Sequence, residues 1–267
     1  MGRIAFVGAG PGAPDLLTVR AARLLGQADV VLYDALVGDG LRELAPGANW
    51  IDVGKRGFRA STPQDVICAL LVRMGRRHAL VVRLKGGDPS VFGRLDEELQ
   101  AVRDAGLDFE IVPGISAALA AAADTARPLT RRGRGRSVAL CTAMVRQGRG
   151  QQHGEPGDDS GDGGAATAGT ARRADTEVYY MAGRKLGALA RELLGSGWDG
   201  ATPVSVVSRA GCDDMLQSSH ALADLARASL LHAGRPTVVV VGVGAEAVAQ
   251  QPARPRARRA AAAPVAR

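Results

Sequence analysis

The stretch from Val81 to Arg94 constrains the fold of this chain more than any other part of the sequence. It begins as an apolar, β-branched run of strand length and breaks at two glycines, Gly86 and Gly87, and at Pro89. In the residues that follow, apolar side chains recur on one helical face behind a first turn rich in acids. The pattern therefore predicts a strand, a tight loop and a helix in succession.

The glycine pair of this loop has two interpretations. Glycine lacks a Cβ, so Gly86 and Gly87 let another molecule approach the backbone closely, and Asp88 adds a carboxylate. Open α/β sheets bind ligands at this end of their strands, which favours a ligand site. The alternative is an ordinary strand-to-helix turn in which Asp88 caps the helix, and the spacing alone fits both.

Composition sets the broad class of the protein. The chain has 267 residues, of which 46% are apolar, enough for one large domain or two modest ones. No segment approaches the roughly 18 consecutive apolar residues of a membrane span, and the first residues lead directly into a predicted strand. We therefore expect a soluble, cytoplasmic protein with no membrane partner. The three cysteines and four histidines are scattered, so neither a disulfide framework nor a metal site is expected.

The net charge of +7 raises the question of nucleic-acid binding. Five of the arginines lie in an Ala/Pro/Arg tail at residues 248–267, which its composition predicts to be disordered. Aromatic residues are scarce, at 3% of the chain, and they are not interleaved with basic residues. Nucleic acid is therefore an unlikely partner, and a polyanionic small molecule would use the positive charge equally well.

Short apolar runs alternate with amphipathic segments along the chain, which predicts an α/β fold. We expect two α/β domains with a cofactor and substrate cleft between them, an N-terminal domain at residues 1–113 and a C-terminal domain at 114–247. Gly, Asp, Ala, Thr and Gln dominate residues 147–175, where large apolar residues are almost absent. This stretch is predicted to be a flexible surface insertion.

Several helix starts can be predicted from capping residues. We expect a first helix over residues 16–25 and a second with Thr62 as its N-cap and Pro63 at its first position. Ser116 is a good N-cap for the alanine-rich helix that follows it. A loop at residues 208–214 and a helix at 222–231 are expected before the last strand.

The loop after the first predicted strand nearly matches the dinucleotide-binding fingerprint. Gly8, Gly10 and Ala13 have the required spacing, and Asp34 follows at about the distance of a ribose-binding acid. Two prolines, however, stiffen this loop and remove amide donors where a pyrophosphate would need them. The loop is therefore predicted to serve another ligand.

Seven segments, in this order along the chain, resemble the tetrapyrrole methylase family. The resemblance extends over residues 3–243, apart from the predicted insertion. Any one segment is a weak signal, but seven in order are a strong one. The segments are residues 7–12 (VGAGPG), 28–34 (ADVVLYD), 53–56 (VGKR), 86–94 (GGDPSVFGR), 113–116 (PGIS), 128–133 (PLTRRG) and 180–181 (YM).

The resemblance implies a specific activity. The most similar members of the family use S-adenosyl-L-methionine as co-substrate, without a metal. They methylate uroporphyrinogen III at ring carbons C2 and C7, which gives precorrin-2 by way of precorrin-1. The resemblance also implies two α/β domains that face a cleft, and a homodimer.

The family's site residues carry over by position. Asp34 is similar to the family's proposed proton acceptor and Lys55 to its proposed proton donor, an acid–base pair suited to the proton that carbon methylation releases. Arginines beside the cleft motifs, at positions 56, 94, 131 and 132, are candidates for binding the eight substrate carboxylates. The positions that resemble the cofactor-contacting set are Pro11, Gly86, Gly87, Asp88, Val91, Ser116, Ala117, Met181 and Ala210.

The sequence departs from the family pattern at several of its motifs. Ser90 stands where the family usually has Phe, Leu95 and Asp96 replace a glycine pair, and Arg131 replaces a histidine. Residues 208–212 lack the usual Glu-Asn-Gly-Thr pattern, which makes Ala210 the weakest of the predicted cofactor contacts. An additional N-terminal dehydrogenase and ferrochelatase module is absent from this sequence, so a monofunctional methylase is expected.

Three other functions stay open at the level of sequence. A methyltransferase of the same fold that acts on a later precorrin is the nearest, although the motifs at residues 53–56 and 128–130 favour uroporphyrinogen III. A nicotinamide-dependent oxidoreductase would use the first glycine loop with Asp34. A noncatalytic basic scaffold or nucleic-acid binder would rest on the arginine tail alone.

Overall fold

Two five-stranded sheets organise the chain in a computed structural model that describes residues 2–34, 37, 39–54, 62–143 and 173–248. The first sheet is parallel throughout, with the strand order β3-β2-β4-β1-β5. Its strands are β1 (Arg3–Gly8), β2 (Val30–Tyr33), β3 (Asn49–Asp52), β4 (Leu80–Lys85) and β5 (Asp108–Val112).

Helices cover both faces of this sheet, as a parallel sheet requires. One face packs against α1 (Val19–Gly26), and the other packs against α2 (Gln64–Gly75) and α3 (Leu95–Asp104). Two 3₁₀ segments, Pro14–Leu16 and Asp39–Leu44, complete the connections. None of the helices in the described part of the chain is long and apolar enough to cross a membrane.

The second sheet is mixed, with the order β6-β7-β10-β8-β9, and only the β6–β7 pair is parallel. It packs α4 (Ala117–Asp124) on one face, and α5 (Leu186–Gly195) with a 3₁₀ segment (Leu222–Ser229) on the other. Its strands are β6 (Val138–Thr142), β7 (Thr176–Tyr180), β8 (Pro203–Ser208), β9 (Leu216–Ala221) and β10 (Thr237–Gly242).

The predicted α/β class with two sheets is confirmed, but strict alternation of strands and helices is wrong for the second sheet. There β9 follows β8 directly and pairs with it antiparallel. The sequence LQSSHA gave no apolar strand signal, because edge strand β9 is only partly buried. The segment that begins at Leu222 is a 3₁₀ helix that ends at Ser229, which is shorter than predicted.

Two predicted helix starts are also wrong. The first α-helix begins at Val19 behind Thr18, whose Oγ1 accepts the amide proton of Ala21, and not at residue 16. The second begins at Gln64, because Pro63 has an extended ψ of 145° and is itself the N-cap in place of Thr62. In both cases a proline lies before the first residue of the helix.

The domain boundary between residues 113 and 114 stays a prediction. The first sheet is built from residues 3–112 and the second from residues 138–242. Residues 147–172 of the predicted insertion and the predicted tail from residue 249 onward lie outside the described residues. Asp175, at the end of the predicted insertion, is described, and its Oδ2 accepts hydrogen bonds from the backbone and hydroxyl of Ser137.

A buried hydrogen-bonded chain around His232 holds the second sheet together. His232 is fully buried, with Nδ1 2.6 Å from the Ser208 hydroxyl and Nε2 2.8 Å from the Ser218 hydroxyl. Ser208 also pairs with the Thr237 hydroxyl at 2.7 Å. Burial lowers the pKa of His232, and the neighbouring His220 and Arg235 lower it further.

This histidine should make stability depend on pH. Because its pKa is lower in the folded protein, the unfolded chain binds a proton at higher pH, so acidification favours unfolding. We expect the free energy of unfolding, measured with urea, to be fully developed above the ordinary histidine pKa of 6.5 and to fall below it. His232→Asn should lower the free energy of unfolding at neutral pH, because it removes buried hydrogen bonds. It should also reduce the dependence of that free energy on pH between 7.5 and 5.5. An unchanged pH dependence would show that His232 is not its source.

Candidate active site

The loops after β1, β4 and β5 meet at the carboxyl edge of the first sheet, where three glycines touch. A Cβ on Gly8 would lie 2.5 Å from the Gly114 Cα and 2.7 Å from the Gly87 carbonyl oxygen, and one on Gly114 would lie 2.2 Å from that oxygen. Gly10 and Gly87 exchange two backbone hydrogen bonds, of 3.2 and 2.8 Å. Only glycine permits this approach, so the loops are fixed against one another.

Asp88 links two of these loops. Its Oδ2 accepts the amide proton of Gly114 at 2.9 Å, and its Oδ1 accepts that of Ser90 at 2.8 Å. The following helix, α3, instead has Arg94 at its N-cap, in the left-handed region with φ of 52°. The alternative in which Asp88 caps this helix is therefore wrong. Its carboxylate instead holds the loop by accepting backbone hydrogen bonds.

Ser116 connects the first sheet's loops to the second sheet. It occupies the N-cap position of α4, as predicted, but its side chain makes no capping bond. Its hydroxyl instead lies 2.5 Å from the hydroxyl of Tyr180 at the end of β7. The Tyr180 ring also contacts Phe92 with centroids 5.2 Å apart, and burial raises the pKa of Tyr180. Neither Phe92 nor Tyr180 has a specific role predicted from the sequence.

Two apolar side chains at this junction are exposed on strained backbone. Phe92 and Met181 have φ of 52° and 57° and are 44% and 47% exposed. Positive φ is unfavourable for a residue with a Cβ, and such strain is concentrated at functional sites. Exposed apolar surface beside the Asp88 carboxylate is the mixture that an amphipathic small ligand needs.

The first glycine loop reaches the second sheet through Pro11. A Cβ on Gly211 would lie 2.5 Å from the Pro11 ring, and the Cys212 thiol lies 3.7 Å from the Pro11 carbonyl oxygen. The Gly211 amide donates to Asp124 at the end of α4 at 2.6 Å. These contacts place the buried Ala210 next to the junction, and the sequence analysis missed both Asp124 and Cys212 as its supports.

Most of the predicted site residues belong to segments that meet at this junction. Asp34 lies in the same first sheet, just after β2, with its amide bonded to the Leu84 carbonyl at 3.3 Å. Lys55 and Arg56 lie outside the described residues. The junction segments carry Pro11, Gly86, Gly87, Asp88, Val91, Ser116, Ala117, Met181 and Ala210.

The candidate arginines differ in what they contact. Arg94 forms two bonds of 2.7 Å to Glu97 on the exposed start of α3. Arg131 is held by the backbone carbonyl of Glu246, so its guanidinium supports the C-terminal segment. Arg132 is exposed.

A buried ion cluster that was not predicted from the sequence lies beneath the glycine loop. Arg83 and Lys85, both on β4 and each 2% exposed, pair with the fully buried Glu98 of α3. Burial lowers the pKa of Lys85, and the charge of Arg83 lowers it further. The signal was present, because charged residues within a central strand of a parallel sheet must be buried.

The sequence profile described as Tetrapyrrole (Corrin/Porphyrin) Methylases matches residues 3–226. The chain belongs to the tetrapyrrole methylase family. The family predicted from the seven motifs is thereby confirmed.

Relatives of this tetrapyrrole methylase include a uroporphyrinogen-III C-methyltransferase of Pseudomonas aeruginosa. The two are 40% identical over 94% of this chain and 97% of the relative. A siroheme synthase of Sodalis glossinidius is 41% identical over 90% of this chain, which spans only 48% of that longer relative.

A solved structure also resembles this tetrapyrrole methylase. It is the uroporphyrin-III C-methyltransferase of Thermus thermophilus, complexed with S-adenosylhomocysteine. The TM-score is 0.73 at 35% identity, over 91% of this chain and 98% of the solved one. The predicted methyltransferase class is confirmed by these relatives together.

The glycine contact can be tested with a matched pair of substitutions in this tetrapyrrole methylase. Gly114→Ala forces a methyl group into the Gly87 backbone, and we expect it to lower the free energy of unfolding by about 1–3 kcal/mol, as overpacking does. Gly47→Ala has open space around the added methyl group and should stay within about 0.5 kcal/mol of the wild type. Urea unfolding measures both, and equal effects would contradict the close contact.

Proposed function

We propose that this chain transfers methyl groups from S-adenosyl-L-methionine to C2 and C7 of uroporphyrinogen III and so forms precorrin-2. The observation that carries the proposal is the 40% identity to a uroporphyrinogen-III C-methyltransferase along 97% of that relative. The likeness to the Thermus thermophilus enzyme supports the same activity.

The proposed cofactor site is the junction of the glycine loops. A Cβ on Gly87 would meet only the Ser116 Cα, at 3.9 Å, so the space above this glycine is open. Half-buried backbone at Gly86 and Gly87, the Asp88 carboxylate and the exposed Met181 offer polar and apolar contacts together. These residues fit a ligand that joins an amino acid to a nucleoside.

When bound, S-adenosyl-L-methionine supplies a sulfonium methyl group that is already activated for transfer. The protein's own task is to hold the methyl group in line with a pyrrole carbon and to exclude water. Carbon methylation leaves a cationic pyrrole that must lose a proton. Asp34, at the carboxyl end of β2, is the proposed acceptor, and Lys55 is the proposed donor.

Substrate recognition in this proposal relies on exposed arginines. Uroporphyrinogen III carries eight carboxylates, and a guanidinium binds a carboxylate with two parallel hydrogen bonds. Arg132 is exposed near the cleft motifs, Arg94 is exposed but pairs with Glu97, and Arg131 is bonded to the Glu246 backbone. A homodimer, a metal-free reaction and a cytoplasmic location belong to the same proposal.

The oxidoreductase alternative is disfavoured by the first glycine loop. Its Gly10 amide donates to the Gly87 carbonyl oxygen, so it is not free to bind a pyrophosphate. The Pro11 ring packs on Gly211 instead of leaving an open helix N-terminus. A methyltransferase that acts on a later precorrin remains the second candidate within the family.

The activity can be tested by anaerobic incubation with uroporphyrinogen III and methyl-labelled S-adenosyl-L-methionine, followed by mass analysis of the oxidised product. We expect two added methyl groups per macrocycle. Asp88→Ala should abolish transfer, because it releases the Gly114 and Ser90 amides and so disorders the loop. Asp104→Asn, on the exposed end of α3, is the control that should retain activity.

The outcomes separate the candidates. Cofactor binding without methyl transfer would direct the assignment to a later precorrin as substrate. Absence of S-adenosyl-L-methionine binding would contradict the methyltransferase proposal for this chain, and tight NAD binding would favour the oxidoreductase.

A further inference from the structure

The buried ion cluster on β4 contacts a residue of the proposed catalytic pair. The Arg83 Nη2 donates to the Asp34 Oδ1 at 2.6 Å, and the same nitrogen donates to the Glu98 Oε1 at 3.1 Å. We propose that Glu98 is a positioning residue that sets the place of the Asp34 carboxylate by holding Arg83. The inference rests on the proposed function, in which Asp34 accepts a proton.

Arg83 is held at every part of its guanidinium. Its Nε donates to both carboxylate oxygens of Glu98, at 3.2 and 3.3 Å, and its Nη1 donates to the backbone carbonyls of Leu32 and Leu84, at 3.5 and 3.3 Å. The guanidinium is planar, so these bonds fix the direction in which Nη2 points. Glu98 thus fixes the position of the guanidinium that donates to Asp34.

Stability alone does not account for the cluster. Removing two charges from water is costly, and well-packed apolar residues often replace a buried ion pair with no loss of stability. Glu98 is 0% exposed and Arg83 2% exposed, so the full cost applies here. A role in fixing geometry explains why ions occupy this place in the sheet.

Asp34 lies at the outer end of the buried cluster. Its side chain is 29% exposed, whereas that of Arg83 is 2% exposed, so Asp34 lies between the buried cluster and solvent. Arg83 occupies Oδ1, and Oδ2 has no hydrogen-bond partner among the residues that the structure describes. A carboxylate held in place at one oxygen by a buried guanidinium has the geometry of an oriented proton acceptor.

Glu98 has a second set of contacts that provides the competing explanation. Its Oε2 accepts a bond from Lys85 at 2.9 Å, and a Cβ on Gly93 would lie 3.0 Å from the Lys85 Cε, so Lys85 runs beneath the loop after β4. Through Lys85, Glu98 would brace the proposed cofactor loop. That role would alter cofactor binding, whereas positioning of Asp34 would alter the reaction rate.

A double-mutant cycle distinguishes these roles. The variants are Glu98→Gln, Asp34→Asn and the double variant, with Asp104→Asn as an acid-to-amide control on the exposed face of α3. We expect Glu98→Gln to lower kcat for methyl transfer to uroporphyrinogen III by up to about 100-fold, as misplacement of a catalytic group does. The KM for S-adenosyl-L-methionine and the affinity for S-adenosylhomocysteine should stay unchanged.

In the Asp34→Asn background, Glu98→Gln should have little further effect, because its action passes through Asp34. An equal loss of kcat in both backgrounds, or a loss confined to cofactor affinity, would overturn the inference. If Glu98→Gln does not fold, the cycle is repeated with Arg83→Lys in its place. Lysine keeps the positive charge but lacks the planar guanidinium that contacts Glu98 and Asp34 at once. Failure of the proposed function is distinguishable from failure of this inference. If the wild-type protein transfers no methyl group, the proposed function is overturned. If the wild-type protein is active but Glu98→Gln has the same effect with and without Asp34, only the inference is overturned.

Discussion

The close packing of Gly8, Gly87 and Gly114 fixes the carboxyl edge of the first sheet. It brings together the ends of three parallel strands at distances that no other residue type allows. Asp88 can reach the Gly114 amide only because the loops touch. The start of α4 follows directly from Gly114, so the same contact sets where Ser116 meets Tyr180 of the second sheet.

Beneath this contact, the central strand β4 carries charges where a parallel sheet normally has apolar residues. Arg83 and Lys85 share the single acid Glu98, and Arg83 extends the pairing to Asp34 at the end of β2. The loop after β4 and the charged side chains within β4 thus have different proposed roles. In the proposed function, the loop contacts the cofactor, and Arg83 on the strand orients Asp34 at the same sheet edge.

Much of the first sheet could be predicted from sequence, because β1, β2 and most of β4 are apolar runs that end at or just before a glycine or an aspartate. The central strand and the β2 strand were found this way. Strand β9 could not be predicted, because it lies at the sheet edge, where its polar side chains are only partly buried and no apolar pattern is needed. The tertiary partners of Ser116 and Asp88 were equally inaccessible, since Tyr180 and Gly114 reach them only in the fold.

We propose that the glycine-loop junction binds the methyl donor. The most direct measurement is a crystal structure of this chain with S-adenosylhomocysteine. We expect the ligand to lie against Gly86, Gly87 and Asp88 on one side and against Ser116 and Met181 on the other. A ligand bound elsewhere, with these residues left in contact with solvent, would contradict it.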